Sequence, residues 1–405
     1  MKYLLIIPDG IGDHSSDALG GKTPLAVSRI PNLNYFAKVG KVGTVRNIPD
    51  RLEPATHIAI SSLLGYEPKR YLAGPGPLEA ANMEIKLEKD EVAFRMNFIT
   101  ESDGVLADAS AGQITSKEAR ALIAFLNKKL SSEFVRFFPG REHRHIAVIK
   151  DARGFQALSA KCLPPRQVVG KKIQNHLPKG AGEETIVKLI YDSKMLLSDH
   201  EINQVRIDLG ENPANMIWLW GQGGTPSLPK FSERFNGLTG ASISTVDLVK
   251  GFSRLIGLTV TELPVKRSGP DPDFDYRSEA KAMVDLFEEK DFVCVHLRAC
   301  DVASRLGDLA QKVASLEAID RYVIAAAREF YEKSKNVRVL IVPMHNTLYR
   351  TKSRTREPVP FIAAGKNVVP DGVELFNETT AGLSSLKFSD GWKLIDSFIT
   401  SKDLN

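Results

Sequence analysis

Three short apolar runs limit what this chain can fold into, because each ends beside a residue able to bind a metal. KYLLIIPDG reaches Asp9, FVCVHLRACD reaches Asp301, and VRVLIVPMH reaches His345. All three are rich in Val, Ile and Leu and lack helical spacing, which predicts strands buried on both faces of a parallel sheet. In an open α/β sheet the carboxyl ends of the strands line the ligand crevice. The expectation is an α/β fold, mostly parallel strands flanked by helices, that gathers Asp9, Asp301 and His345 from distant segments. Taken singly, each is ambiguous, since Asp9-Gly10 equally suits a turn in which the aspartate bonds its own backbone.

At 405 residues the chain is long enough for one large domain and a smaller one. TPLAVSRIPNLNYFAKVG has helical apolar spacing over 23–40, with Thr23 as N-cap, Pro24 at the first helical position and Gly40 as C-cap. From about 90 the pattern changes. VAFRMNFIT, GVLADAS and HRHIAVIK read as short strands, SKEARALIAFLNKKL as an amphipathic helix, and 151–182 as mostly Pro/Gly/Lys-rich loop. A helix follows over 183–200, then polar EINQVRIDLGENPAN, and MIWLWGQGG restarts a strand. This organisation predicts a discontinuous core, 1–88 plus 213–405, with an inserted α/β cap domain over 89–212.

The composition, 43% hydrophobic and 25% charged, is that of a soluble globular protein, and a net charge of +5 is mild for this length. It suits an anionic small molecule but is equally background surface charge. No basic run is interleaved with aromatics, so no nucleic-acid partner is expected. No stretch approaches the roughly 18 apolar residues of a membrane span, so no membrane partner is expected either. Cys162, Cys294 and Cys300 form no Cys-x-x-Cys pair and are too scattered for a disulfide framework, which points to a reducing cytoplasm. Thr56, where a loop gives way to an apolar helical stretch, reads on spacing alone as a helix cap, with a nucleophile backed by the helix's positive end as the alternative.

Several segments resemble a known family. PDGIGD, GKTPLAVSRIPNLNYFAKVGKVGTV, SSLLGYEP, PLEAANMEI, AFRMNFIT, SAGQIT, NPANMIWLWGQGGTPSLPKF, GASISTVDLVKG and EPVPFIAAG are similar to the archaeal-type cofactor-independent (2,3-bisphosphoglycerate-independent) phosphoglycerate mutases of the alkaline phosphatase superfamily. The bacterial branch also labelled proposed homoserine kinase is the nearest in pattern, although a P-loop of the Gly-x-x-x-x-Gly-Lys-(Ser/Thr) type is missing. The resemblance implies an alkaline-phosphatase-like core and a two-metal site holding manganese or zinc. It also implies a serine that takes the phosphoryl group from one hydroxyl of phosphoglycerate and returns it to the other. Two metals suit this chemistry because they activate the nucleophile and neutralise charge on the transferring group.

Carried over residue by residue, the pattern breaks at the metal positions. The first ligand aspartate falls on Asp9, and the nucleophilic serine of Pro-Gly-Ser-Asp falls on Thr56 in Pro54-Ala55-Thr56-His57. Asp-Glu-Ala-Gly-His reads as Asp301-Val302-Ala303-Ser304-Arg305, keeping the aspartate and replacing the histidine. Asp-His-Pro-Thr reads as Met344-His345-Asn346-Thr347, and the last ligand histidine, in Thr-His-Thr, reads as Arg354. Arginine keeps its proton and has no lone pair to give, and a methionine thioether suits copper(I) rather than manganese. Asp9, Thr56, Asp301 and His345 thus remain, while Arg305, Met344 and Arg354 fill the other three of seven positions.

Positions that the resemblance assigns to substrate change in parallel. An arginine after Gly74 is Pro75, the histidine of Ser-Ala-Gly-His is Gln113, and a Gly-His pair is Gly391-Trp392. These departures imply a homologue with a degraded metal site, impaired or inactive in mutase turnover and holding at most one metal. Arg305 and Arg354, with Gln113 and the cleft candidates Arg95, Arg144 and Lys250, would then serve a metal-free site for a phosphorylated or carboxylated small molecule, or Arg305 and Arg354 would equally pair with Asp9 and Asp301 and leave a neutralised cleft. A protein partner is the expectation for an inactive form. The alternative is an active phosphoryl transferase or phosphatase using Thr56 and one metal at Asp9 and His345.

Overall fold

The computed structural model describes residues 1–71, 74–151, 155–263 and 276–401. Its N-terminal apolar run forms the strand Lys2–Pro8 in the interior of an eight-stranded sheet. Phe292–Leu297 and Val337–Ile341 flank it, both in parallel, so the three runs that end near Asp9, Asp301 and His345 lie side by side. Gly240–Ile243 and Thr259–Thr261 extend the sheet in parallel on one side. On the other side the sheet turns antiparallel at Val359–Gly365 and Gly40–Val45, and the short strand Lys387–Phe388 pairs in parallel with the latter. The α/β class with a mostly parallel sheet is therefore as expected. Leu4, Ile6, Val293, Val295, Val339 and Ile341 pack with Leu33, Phe36, Met283 and Phe287 into one core cluster.

Local chemistry corrects two readings. The helix expected over 23–40 is two helices, Pro24–Val27 and Pro31–Val39. A proline disfavours helical backbone in the residue before it, and Ile30 adopts φ −125°, so the first helix stops ahead of Pro31. Thr23 does cap, its hydroxyl accepting from the Ala26 N–H at 3.1 Å, and Gly40 is the C-cap of the second helix, its N–H donating to Ala37 O, in extended rather than left-handed backbone that opens the next strand. Asp301 also lies beyond its strand, which ends at Leu297; it sits in the first turn of the helix Ala299–Leu306.

The chain divides into two compact units, Met1–Leu72 with Leu228–Asn405, and Ala73–Ser227. These bounds enlarge the inserted unit relative to 89–212, for two reasons. The strand Met216–Gly223 pairs antiparallel with Glu91–Ser102, and the helix Pro75–Asn82 packs on both. In this second unit, Glu91–Ser102 also pairs antiparallel with Arg144–Lys150, which in turn pairs with Val135–Arg141, a strand that the sequence pattern hid. The helices Ser116–Leu130 and Glu183–Leu197 cover the sheet, Leu122, Leu126, Ile186 and Ile190 meeting Phe94, Met96 and Trp218. EINQVRIDLG, read as polar connection, contains a further helix, Glu201–Asp208. No helix among the described residues is long and apolar enough to cross a membrane.

The second unit carries an acid-sensitive group. His145 is buried, its ring edge-on to Phe98 at 4.8 Å, and its Nδ1 accepts the Gly140 N–H at 3.0 Å. The ring is thus neutral, and burial together with nearby His143 pushes its pKa down to about 3. The folded value lies below the unfolded one, so the unfolded chain gains the proton first as pH falls. The stability this group confers is complete above about pH 6.5 and declines by about 1.4 kcal/mol per pH unit below it. Asparagine at 145 would keep an acceptor for Gly140 without a titrating ring. The unfolding free energy from urea titration should therefore fall more from pH 7 to pH 5 in wild type than in His145→Asn, by about 2 kcal/mol.

Candidate functional site

Backbone contacts at the strand ends assemble the site. The Asp9 N–H donates to Leu297 O at 2.8 Å, and Asp9 O accepts the Asp301 N–H at 3.0 Å. This close approach depends on Gly10, whose φ is +77° and where a Cβ would lie 2.6 Å from the Asp301 backbone. His345 follows the strand Val337–Ile341, and Arg354 faces Thr347 across the two-residue hairpin Thr347–Leu348 and Ser353–Arg354. Lys312, fully buried, pins these loops together, its Nζ donating to Asp13 Oδ2 at 2.6 Å, Thr347 O at 2.9 Å and Gly12 O at 3.3 Å.

Asp9, Asp301 and His345 do come together, each buried, with ligand-capable atoms all within 4.8 Å of one another. Asp301, however, is already engaged. Arg354 grips it with one edge of the guanidinium, Nε donating to Oδ1 at 3.0 Å and Nη2 to Oδ2 at 2.6 Å, and Thr347 Oγ1 donates to Oδ1 at 2.8 Å. Burial pushes the Asp301 carboxyl up, but the Arg354 guanidinium outweighs it and holds the group well below the usual carboxylate range. Conversely, burial lowers the pKa of Arg354 while its bonds to Asp301 raise it, and the net direction is up. The remaining guanidinium nitrogen, Nη1, donates to Thr56 Oγ1 at 3.0 Å.

Thr56 is the first residue of the helix Thr56–Leu63, and Ala55 occupies the cap position. The cap reading of its hydroxyl is therefore replaced: Oγ1 lies at the positive end of the helix and accepts from a cation. Met344 is buried and its carbonyl accepts from Asn47 Nδ2 at 3.2 Å. Arg305 is half-exposed in the last turn of its helix, with Nη1 4.0 Å from Asp301 Oδ2. Arg95, Arg144 and Gln113 belong to the second unit. There Arg95 pairs with Glu79 and stacks 4.7 Å above Trp220, Arg144 is exposed at a strand start, and Gln113 is an exposed turn residue with φ +54°. Lys250, buried in the first unit, is neutralised by Glu262 at 3.0 Å and Asp247 at 3.4 Å.

His345 Nδ1 lies 3.2 Å from Thr347 Oγ1, and the single hydroxyl proton of Thr347 goes to Asp301. Thr347 can then only accept from His345, so Nδ1 carries the proton and Nε2 presents a lone pair. Burial lowers the pKa of this ring, against the opposing charge of Asp9, and keeps it neutral. Nε2 and Asp9 Oδ1 are buried with no hydrogen-bond partner among the described residues. A neutral imidazole nitrogen and a free carboxylate oxygen suit manganese or zinc. These donor types fit a divalent cation at Asp9 and His345, while the ring nitrogen found 3.5 Å from Asp9 Oδ1 is the protonated Nδ1.

The comparisons agree with the motifs. A sequence profile described as 2,3-bisphosphoglycerate-independent phosphoglycerate mutase matches residues 37–203. The mutase of that name from Methanothrix thermoacetophila is 39% identical over 396 residues, covering 98% of each chain. The chain belongs to the 2,3-bisphosphoglycerate-independent phosphoglycerate mutase family. A Geobacter sulfurreducens protein named as a probable mutase of this kind is 35% identical over 401 residues, 98% of this chain and 99% of its own. Among solved structures, the cofactor-independent phosphoglycerate mutase from Thermoplasma acidophilum has a TM-score of 0.67 at 26% identity, covering 98% of this chain and 99% of that one. A Pyrococcus horikoshii protein shares the fold more closely, with a TM-score of 0.81 at 24% identity and coverage of 100% and 98%.

Within this mutase homologue, Thr347 and His296 were not singled out by sequence reasoning, although His296 interrupts the apolar run FVCVHL. A histidine inside a buried strand needs a polar partner, and that was the available signal.

Proposed function

We propose that this chain transfers a phosphoryl group on a small phosphorylated carboxylic acid through Thr56, at a centre holding one divalent cation where its family would use two. One observation carries the reading: Arg354 binds Asp301 with one edge and Thr56 Oγ1 with its remaining nitrogen. A fixed guanidinium thus stands where the motif correspondence puts a metal-binding histidine, and it contacts the hydroxyl that the correspondence makes the nucleophile. A donor on Oγ1 favours the alkoxide over the alcohol. It also leaves positive charge in place as negative charge develops on the transferring group.

The buried charges favour a bound cation over a metal-free anion site. Asp9 and Asp301 contribute two formal negative charges and Arg354 one positive, while the second arginine, Arg305, is half-exposed with Nη1 4.0 Å from Asp301 Oδ2 and is screened by water. A phosphate would meet the residual negative charge of the buried groups without a further cation. Asp9 Oδ1 and His345 Nε2 would hold it. Such an ion supplies a Lewis acid that lowers a hydroxyl's pKa and offsets phosphoryl charge. A second cation has no comparable donor set among the described residues, because both oxygens of Asp301 are taken. That same saturation of Asp301 favours a second reading, a folded protein that binds no cation and turns nothing over.

Metal content decides between them. After incubation with manganese and removal of the excess, mass spectrometry should find one equivalent per chain, and His345→Ala should bind at least about tenfold more weakly. Incubation with phosphoglycerate should leave a phosphoryl adduct on Thr56. Two equivalents would overturn the single-cation centre; no metal and no adduct in folded protein would establish the inactive reading.

A further inference from the structure

We propose that Ser244 and His296 form a buried relay that orients the Asp9 carboxylate, His296 acting as a positioning residue; this rests on the single-cation reading above. His296 lies in the strand Phe292–Leu297, in parallel register with Ile7, two residues before Asp9. The ring is buried, and its Nδ1 is 3.0 Å from the hydroxyl of Ser244, itself buried just past the strand Gly240–Ile243.

The hydrogen-bond inventory assigns the protons. Ser244 Oγ already accepts the Val246 N–H at 3.0 Å, and its own proton has one acceptor among the described residues, His296 Nδ1. The ring proton therefore sits on Nε2. That nitrogen has no hydrogen-bond partner among the described residues, and it lies 3.6 Å from Asp9 Oδ2, just beyond hydrogen-bond distance. The two oxygens of Asp9 are thereby distinguished. Oδ2 faces an N–H from His296, while Oδ1 lies 3.5 Å from His345 Nδ1, whose proton is directed to Thr347, and makes no hydrogen bond.

A carboxylate alone at a strand end can rotate about its Cβ–Cγ bond and present either oxygen. An N–H this close to one oxygen attracts it electrostatically, able to close to a hydrogen bond on a small rotation, and leaves the other for a ligand. Outer partners of this kind hold metal-binding carboxylates in orientation, and losing one typically weakens metal affinity about 10- to 100-fold. Ser244 sets the direction of the relay: without its proton, Nδ1 could carry the hydrogen and Nε2 would turn a lone pair on the carboxylate.

Manganese affinity measured by calorimetry on the intact chain tests this without recourse to activity. His296→Leu should bind about 10- to 100-fold more weakly than wild type, and His296→Gln, whose amide nitrogen overlays Nε2, should stay within about threefold. Ser244→Ala should lose affinity by about three- to tenfold. With thermal melting showing each variant folded, wild-type affinity in His296→Leu, or glutamine as weak as leucine, overturns the relay while leaving the single-cation centre intact. If His296→Leu does not fold, unchanged affinity in Ser244→Ala has the same force. Wild-type protein that takes up no manganese overturns both.

Discussion

Arg354→Ala should lower the unfolding free energy by about 3–5 kcal/mol, because it leaves the buried Asp301 carboxylate without the partly buried cation that compensates it. Most of that loss comes from what remains behind. Asp301 is 3% exposed, and without the guanidinium its carboxylate keeps only the Thr347 hydroxyl at 2.8 Å and the half-exposed Arg305 at 4.0 Å. Lysine at 354 should recover less than half of the loss, because a point charge cannot reach both oxygens and Thr56 together. Asp301→Ala/Arg354→Ala should cost less than the sum of the single changes, since neither residue then abandons a buried charge. Urea unfolding of the four variants measures this directly. An Arg354→Ala protein within about 0.5 kcal/mol of wild type would show that solvent or another group reaches Asp301, and that the centre is looser than the contacts imply.

The fold was legible where burial wrote it into the sequence and obscure where single residues redirected the chain. Three short runs dominated by Val, Ile and Leu, without helical spacing, read as strands covered on both faces, and they are adjacent and parallel. Val135–Arg141 escaped notice because it lies at the edge of its sheet and alternates buried with exposed positions around a Pro-Gly pair. Pro31 broke a helix whose apolar spacing runs straight through it. At the site, spacing indicated which segments meet but not what the side chains do on meeting. Arg354 was recognisable as a non-ligand, yet its simultaneous hold on Asp301 and Thr56 depends on the two-residue hairpin opposite Thr347, which has no apolar period to reveal it. The His345 tautomer is fixed by a proton on Thr347, a residue with no metal-binding chemistry of its own.

Thr56 is where removing a few atoms should change most. Thr56→Ala should abolish the phosphoryl adduct and reduce turnover on the order of 10³-fold or more, as deleting a covalent nucleophile does. Thr56→Ser keeps the oxygen and loses only a methyl group, so it should remain within about tenfold of wild type. Thr56→Val separates chemistry from packing. It preserves the branched shape at a position 8% exposed but deprives Arg354 Nη1 of its acceptor, at a stability cost of about 1–3 kcal/mol. Valine should therefore be folded, bind manganese with near wild-type affinity and form no adduct. The three variants together discriminate a nucleophile from a structural hydroxyl. If valine turns over as fast as serine, the oxygen serves only to satisfy Arg354, and the transferring group must rest on another residue. If serine is as inactive as valine while wild type is active, the methyl group itself holds Oγ1 in line, because a serine side chain can rotate into three staggered positions where a β-branched threonine is held more narrowly.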